Sequence, residues 1–293
     1  MADALVLGVD ATSVETRAVL VDGATVVRSF VEGPLNVLLD ANAFERLVHL
    51  IQESGCTVAG LGIGGLRGAR EVRELELKLH ARTAVEVVVG ENTESALLGA
   101  FEGRPGVIVV AHTGSSAMGR DASGRAARAG GYGHLLGDEG SHYWIAQKAI
   151  RVAIRSYDGT GPKSEALEHA VRRLYGLEPD ALMRRITGDP RNLSIVVGSA
   201  RALMALTDPL MQRILDEAAD DLILMAAAVR TKLADDDLPV AMYGAVFQDP
   251  LVRRRFVAAT NAVDAKMPPE FGAVLLAREA GEHADRDMGW RFE

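Results

Sequence analysis

The chain has 293 residues, 48% of them hydrophobic, and can bury one large core or two of ordinary size. Its formal net charge of −8 disfavours nucleic acid and anionic membranes as partners, and its single cysteine, Cys56, excludes an internal disulfide or a cysteine-rich cluster. The sequence has neither a signal-peptide pattern nor an apolar run long enough to span a membrane, which favours a cytoplasmic protein.

Strand and helix patterns alternate along the first third of the chain. Buried-type runs predict three antiparallel strands over residues 4–9, 16–21 and 24–30, joined by tight turns. Helical spacing of apolar residues over 42–53 then precedes a strand over 58–63. Further patterns predict a helix over 70–82, a strand over 85–89, a helix over 93–101 and a strand over 107–110.

The same order repeats more loosely in the rest of the chain. Long helices are predicted over 143–157, 165–175 and 209–232, followed by a strand over 240–244. Periodicity alone therefore predicts the α/β class and does not fix the topology.

A Gly-x-Gly-x-x-Gly pattern at residues 60–65 follows a predicted strand and could indicate a dinucleotide site. That fingerprint also requires an acidic residue at the end of the next strand. Here the following helix leads instead to Glu86 at the start of a strand. We therefore predict no nicotinamide or flavin site.

The most informative segment, residues 130–144, reads Gly-Gly-Tyr-Gly-His-Leu-Leu-Gly-Asp-Glu-Gly-Ser-His-Tyr-Trp. Glycines permit close backbone approach and a helix start supplies N–H groups, so Asp138 could hold a hydroxylated ligand in a polar cup. The alternative is two tight turns in which Asp138 caps the helix and Glu139 lies in its first turn. Upstream, the strand over 107–110 leads into Thr-Gly-Ser-Ser at 113–116, whose small residues expose donors to a phosphate.

These two segments resemble the N-acetylglucosamine kinase and BadF/BadG/BcrA/BcrD-type ATPase branch of the sugar kinase/Hsp70/actin superfamily. Tyr132 stands where that signature usually has tryptophan. The similarity also covers residues 7–10, 33–36, 87–101 and 243–247, and so extends over nearly the whole chain.

The resemblance implies a duplicated actin-like, ribonuclease H-like α/β fold with two domains, 1–112 and 113–293, around a central cleft. It also implies an ATP-dependent carbohydrate kinase that uses Mg²⁺ and transfers the γ-phosphoryl group to a hydroxyl of an amino sugar. A sugar is then the partner, and a homodimer is usual in the family.

The nucleotide residues implied by the resemblance include Asp10, which orients the Mg²⁺, usually through water. The others are Thr12, Ser13, Thr113, Gly114, Gly244 and Gln248. Residues 11–16 replace the usual glycine-rich first phosphate turn, and Val14 and Glu15 there remove a hydroxyl and add a negative charge. We therefore expect weakened ATP binding. His112 replaces the first glycine of the second phosphate turn.

The sugar cup implied by the resemblance consists of Asn36, Ser115, Ser116, Gly131, Tyr132, Gly133 and Asp138. Asp138 would accept hydrogen bonds from ring hydroxyls, and Tyr132 would cover an apolar face of the ring.

The catalytic base is the main departure from the family pattern, because Asn92 stands where relatives carry aspartate. An amide can position a hydroxyl but cannot take its proton, and removing general-base catalysis lowers rates by about 10²- to 10⁴-fold. Glu91 could substitute if the turn is re-registered; otherwise it is a solvated turn carboxylate. Three functions stay open: a kinase, a sugar- or nucleotide-binding sensor with a kinase fold, and an ATPase that drives a partner.

Overall fold

The computed structural model describes residues 5–12, 14–35, 42–66, 68–189 and 192–282, and in this part of the chain it has two sheets with helices against both. The first elements are β1 (Leu5–Ala11), β2 (Thr16–Asp22), β3 (Thr25–Glu32), α1 (Ala43–Ser54), β4 (Val58–Ile63), α2 (Ala69–Thr83), β5 (Glu86–Glu91) and α3 (Asn92–Phe101). They are followed by β6 (Gly106–Ala111), β7 (Ser115–Arg120), β8 (Ala126–Gly130), α4 (His142–Tyr157), α5 (Glu165–Tyr175), α6 (Pro179–Gly188), α7 (Asn192–Met204), α8 (Pro209–Leu233), β9 (Val240–Tyr243), α9 (Pro250–Thr260), β10 (Val263–Asp264) and α10 (Pro269–Glu282). A short 3₁₀ helix, Ala245–Gln248, follows β9.

The two sheets share one topology. The first has the strand order β3-β2-β1-β4-β5 and the second β8-β7-β6-β9-β10. In the first sheet the central strand β1 pairs antiparallel with β2 and parallel with β4. In the second sheet the central strand β6 pairs antiparallel with β7 and parallel with β9. The predicted α/β class and duplicated fold are therefore confirmed.

Helix α10 returns from the end of the described chain to pack on the first sheet, against β1, β4 and α3. Glycines make this approach possible. A Cβ at Gly8 would lie 2.1 Å from the carbonyl oxygen of Glu270, and one at Gly60 would lie 1.8 Å from that of Ala273. Gly60 belongs to the Gly-x-Gly-x-x-Gly pattern, so the pattern serves helix packing at this position.

The domain bounds 1–112 and 113–293 stay a prediction, because the division of the chain in space is not a single cut. Residues 113–264 supply β7 to β10 of the second sheet and the helices α4 to α9, whereas β6 precedes this range. Helix α10 follows it and lies on the first sheet.

Each sheet has its own apolar core. The larger core packs α4, α5, α7 and α8 against the second sheet, and the smaller one packs α1 and α2 against the first. Among the described residues no single helix is long and apolar enough to cross a membrane; only α7 and α8 taken together, bent by 114°, pass by length and composition.

Candidate active site

A cleft of about 940 Å³ opens where the parallel strands of both sheets reach their carboxyl ends. It gathers most of the predicted site residues: Asp10, Thr12, Glu91, Asn92, Thr113, Gly114, Ser115, Ser116, Gly131, Gly133, Asp138, Gly244 and Gln248. Tyr132 is not among the lining residues, and its side chain is 63% exposed. Ser13 and Asn36 lie outside the described residues.

Asp10 lies at the end of β1 and is 8% exposed. Burial, and next the Glu270 carboxylate, raise the pKa of Asp10 to about 7. Within the described part of the chain, Asp10 Oδ1 and Glu270 Oε2 are both buried without a hydrogen-bond partner. Two buried carboxylates of this kind favour a nearby cation, because unpaired buried charge is unfavourable.

Mg²⁺ fits this arrangement, since it usually keeps several waters and takes only one or two protein carboxylates together with substrate phosphates. The described residues contain no group of three or more histidine, cysteine, aspartate or glutamate side chains that could form a cage for a metal. Asp10 would therefore hold Mg²⁺ only in combination with water and nucleotide.

The first phosphate turn, between β1 and β2, is held by hydrogen bonds among its own residues. The Thr12 hydroxyl donates to the carbonyl oxygen of Glu15 over 2.7 Å and accepts the N–H groups of Val14 and Glu15, both over 3.2 Å. The Glu15 carboxylate lies 2.5 Å from Nε of Arg17. Two backbone donors and the predicted negative charge are thus engaged within the turn.

The second phosphate turn joins β6 to β7 and is fixed by the start of α4. The carbonyl oxygens of His112 and Thr113 accept the N–H groups of His142 and Tyr143 over 2.8 and 3.3 Å. A Cβ at Gly114 would lie 2.8 Å from an oxygen of the Asp138 side chain, across the turn. Glycine therefore lets the Asp138 carboxylate approach the turn.

Asp138 does not cap the following helix, so that alternative interpretation is wrong. Helix α4 begins at His142, and the Ser141 side chain accepts an N–H of its first turn. Asp138 has a left-handed backbone (φ +58°), and its carboxylate lines the cleft, where Oδ1 accepts the Ser115 N–H over 3.4 Å. Asp138 therefore lines the cleft and does not cap α4.

The hydroxyls of the predicted sugar cup already have partners. Ser115 Oγ donates to the carbonyl oxygen of Glu139 over 2.6 Å, so towards a ligand it can act only as an acceptor. Ser116 Oγ lies 2.8 Å from Oγ1 of Thr93, the residue after Asn92. This contact joins the wall of the cup to the first turn of α3.

Glu91 is not a solvated carboxylate, and that expectation is wrong. Its side chain is 16% exposed, and one oxygen lies 2.5 Å from Nη1 of Arg128 on β8. The Glu91 carboxylate is thus one side of a partly buried ion pair. Asn92, in contrast, opens α3 directly at the cleft.

The predicted adenosine turn follows β9. Gly244 has φ +115°, and a Cβ there would lie 2.2 Å from the carbonyl oxygen of Ala111, so the position requires glycine. Gln248 Oε1 accepts a hydrogen bond from Arg201 Nη2 on α7 over 2.7 Å.

Sequence reasoning missed Thr93, Arg128, Arg201 and Glu270 as residues of this region. Thr93 lies in the 87–101 segment beside Asn92 and could have been found there, whereas Arg128, Arg201 and Glu270 lie in no recognisable motif and only the fold brings them to the cleft or its border.

Comparison with known proteins gives consistent matches. The BadF/BadG/BcrA/BcrD ATPase family model matches residues 7–277. An N-acetylmuramic acid/N-acetylglucosamine kinase of Clostridium acetobutylicum is 34% identical over 210 residues, which cover 66% of this chain and 67% of that protein. An N-acetyl-D-glucosamine kinase of Dictyostelium discoideum is 27% identical over 188 residues, 59% of each chain.

Solved structures extend this similarity. A protein of Chromobacterium violaceum, provisionally described as an N-acetylglucosamine kinase, superposes with a TM-score of 0.78 at 25% identity, covering 94% of this chain and 99% of that one. A ROK hexokinase of Thermus thermophilus, at 16% identity and a TM-score of 0.60 over 94% and 99% of the chains, shares the fold.

Proposed function

The chain belongs to the BadF/BadG/BcrA/BcrD ATPase family, and we propose that it is an ATP-dependent kinase that phosphorylates a hydroxyl of an amino sugar. The observation that supports this proposal is one cleft lined by residues of both predicted phosphate turns, of the Gly244 turn and by five of the seven predicted sugar-cup residues, from segments far apart in the sequence. The relatives named as kinases of N-acetylglucosamine and N-acetylmuramic acid support an amino sugar as the acceptor.

The nucleotide would lie between the two phosphate turns. Gly244 and Gln248 would contact its adenosine end, and Thr113 and Gly114 its phosphates. Asp10 would hold Mg²⁺, which when bound offsets the negative charge of the phosphates. The Arg17 guanidinium forms an ion pair with Glu15. This pairing reduces the electrostatic repulsion between the Glu15 carboxylate and the nucleotide phosphates.

The sugar would lie at the other end of the cleft, among Ser116, Gly131, Gly133 and Asp138. The Asp138 carboxylate is acceptor-only when ionised and suits the hydroxyls of a sugar ring. Asn92 would orient the acceptor hydroxyl, with its amide oxygen as the hydrogen-bond acceptor. Phosphoryl transfer depends mainly on positioning and electrostatic stabilisation, so an amide here supports slow transfer.

A second candidate is a sensor that binds sugar or nucleotide without turnover. Two observations favour it: Asn92 stands at the base position, and the Thr12 hydroxyl occupies backbone donors of the first turn. The expected cytoplasmic location and homodimer stay predictions under either function.

The experiment that separates the two candidates measures Mg-ATP-dependent phosphorylation of a panel of amino sugars by the wild type and by Asn92→Asp. We expect weak turnover in the wild type and at least a roughly tenfold increase in the variant, because the carboxylate can take the acceptor proton. Asn261→Asp is the matched control, since Asn261 ends α9 at an exposed position outside the cleft.

Calorimetry with the same sugars completes the test. Sugar binding without transfer in either the wild type or Asn92→Asp would contradict the kinase and support the sensor. ATP hydrolysis that no sugar stimulates would instead indicate an ATPase that acts on a partner.

A further inference from the structure

His112 occupies the second phosphate turn at a position where the resemblance leads us to expect glycine. We propose that His112 binds a phosphate of the nucleotide as an imidazolium and takes up a proton when the nucleotide binds. This inference rests on the proposed function, because it needs a nucleotide in the cleft.

The opposite phosphate turn has lost donors that a polyphosphate would use. In a glycine-rich phosphate loop the backbone N–H groups point at the anion. Here the N–H groups of Val14 and Glu15 are directed to the Thr12 hydroxyl, both over 3.2 Å. Compared with a glycine-rich loop, this turn offers fewer backbone donors, so side chains must contribute more of the positive charge that binds the phosphates.

His112 is held in a position to do so. It lines the cleft directly after β6, and its carbonyl oxygen accepts the His142 N–H over 2.8 Å. Its ring packs edge-on against the His142 ring, with 5.8 Å between the ring centroids. The backbone and one side of the ring are thus fixed by α4, while the side chain is still accessible from the cleft.

The charged and titratable groups that face His112 explain why it needs a ligand to become protonated. Burial, and less strongly Arg201 and Arg17, lower the pKa of His112, and Glu15 raises it. His142 stays neutral, because burial, then His112 and Arg201, lower its pKa to about 4.

His112 lines the same cleft as Glu15 in the first phosphate turn and Arg17 at the start of β2. A polyphosphate in this gap places several negative charges beside the imidazole, and nearby negative charge favours the imidazolium. Binding of nucleotide and of one proton are therefore linked.

The test is calorimetry of Mg-ATP binding to the full chain near pH 7.5, in excess Mg²⁺ and in two buffers with different ionisation enthalpies. The difference between the buffers gives the number of protons taken up. For the wild type we expect uptake of a clear fraction of one proton and an affinity that rises as the pH is lowered, by at most about tenfold per pH unit.

Two substitutions of His112 have opposite expectations. His112→Gln should take up fewer protons than the wild type by a clear fraction of one, weaken the rise in affinity towards low pH and lower the affinity near pH 6.5 by roughly tenfold. His112→Lys keeps a permanent cation and should bind Mg-ATP without proton uptake. The matched control is His134→Gln, because His134 lines the same cleft but packs on Tyr143, with 4.9 Å between ring centroids; its proton uptake should equal that of the wild type.

Equal proton uptake by the wild type and His112→Gln would overturn the inference and leave the kinase proposal standing. The same holds if His134→Gln loses the uptake as well. If the wild type binds no nucleotide at all, both the inference and the proposed function fail.

Discussion

Replacing the buried carboxylate at the end of β1 should make the protein more stable and at the same time remove metal-dependent nucleotide binding. The perturbation is Asp10→Asn. It keeps the size of the side chain but removes a charge that is buried beside the Glu270 carboxylate. A carboxylate that is buried to bind a cation destabilises the folded protein as long as the cation is absent. Removing its charge is therefore expected to increase stability.

The magnitude follows from the raised pKa of Asp10. A rise from the ordinary 3.8 to about 7 corresponds to about 4 kcal/mol against folding once Asp10 is ionised in both states. Because the folded pKa is the higher one, this group contributes most stability at low pH and loses it as the pH rises from about 4 to 7. We expect a gain of about 1–4 kcal/mol in Asp10→Asn at pH 8, since the amide leaves some buried polar atoms unpaired.

The assay is thermal or denaturant unfolding of the wild type and Asp10→Asn at pH 5 and pH 8. The variant should have the higher midpoint at pH 8, and the difference should shrink at pH 5, where wild-type Asp10 is protonated. Mg-ATP should raise the midpoint of the wild type only. Asp22→Asn, an exposed carboxylate at the end of β2, is the control and should change neither midpoint. A lower midpoint for Asp10→Asn at pH 8, or the same difference at both pH values, would refute this reasoning.

Three further predictions concern the ends of the cleft. Glu15→Lys should strengthen Mg-ATP binding several-fold, and less so at high salt, in calorimetry at two ionic strengths; an unchanged affinity would mean that Glu15 points away from the nucleotide. Asp138→Ala should weaken sugar binding by about tenfold or more while the chain stays folded, and an unchanged sugar affinity would remove Asp138 from the site. Gly244→Ala should lower the melting temperature and weaken Mg-ATP binding, because the new Cβ meets the Ala111 carbonyl oxygen; a wild-type melting temperature would contradict this close contact.

The strands of the first half could be predicted closely, whereas several elements of the second half could not. Runs rich in β-branched residues predict β1, β2, β4 and β5 to within two residues. Strands β7 and β8 read Ser-Ser-Ala-Met-Gly-Arg and Ala-Ala-Arg-Ala-Gly, which have no strand signal of their own. They form because β6 offers an edge for pairing, a tertiary effect that a local pattern does not contain.

The candidate site was predictable where its residues are contiguous in the sequence. Asp138 and the 113–116 turn stand in long motifs, and the cleft contains them. Ion-pair partners were not predictable, because charged residues are common on any surface and their pairing depends on the fold. Arg128 is the clearest case: 37 residues from Glu91, it changes a predicted solvated carboxylate into one side of a partly buried ion pair.

The return of α10 to the first sheet has a consequence for synthesis of the protein. Domains generally fold as units, the N-terminal one first, while the chain is still being made. Here α10 packs against the part of β1 and β4 that contains Gly8 and Gly60, and α10 follows β4 by some two hundred residues of chain. The packing of the first sheet is therefore completed only after the second sheet and its helices have been synthesised. Until then the surface of β1 and β4 that contacts α10 is uncovered.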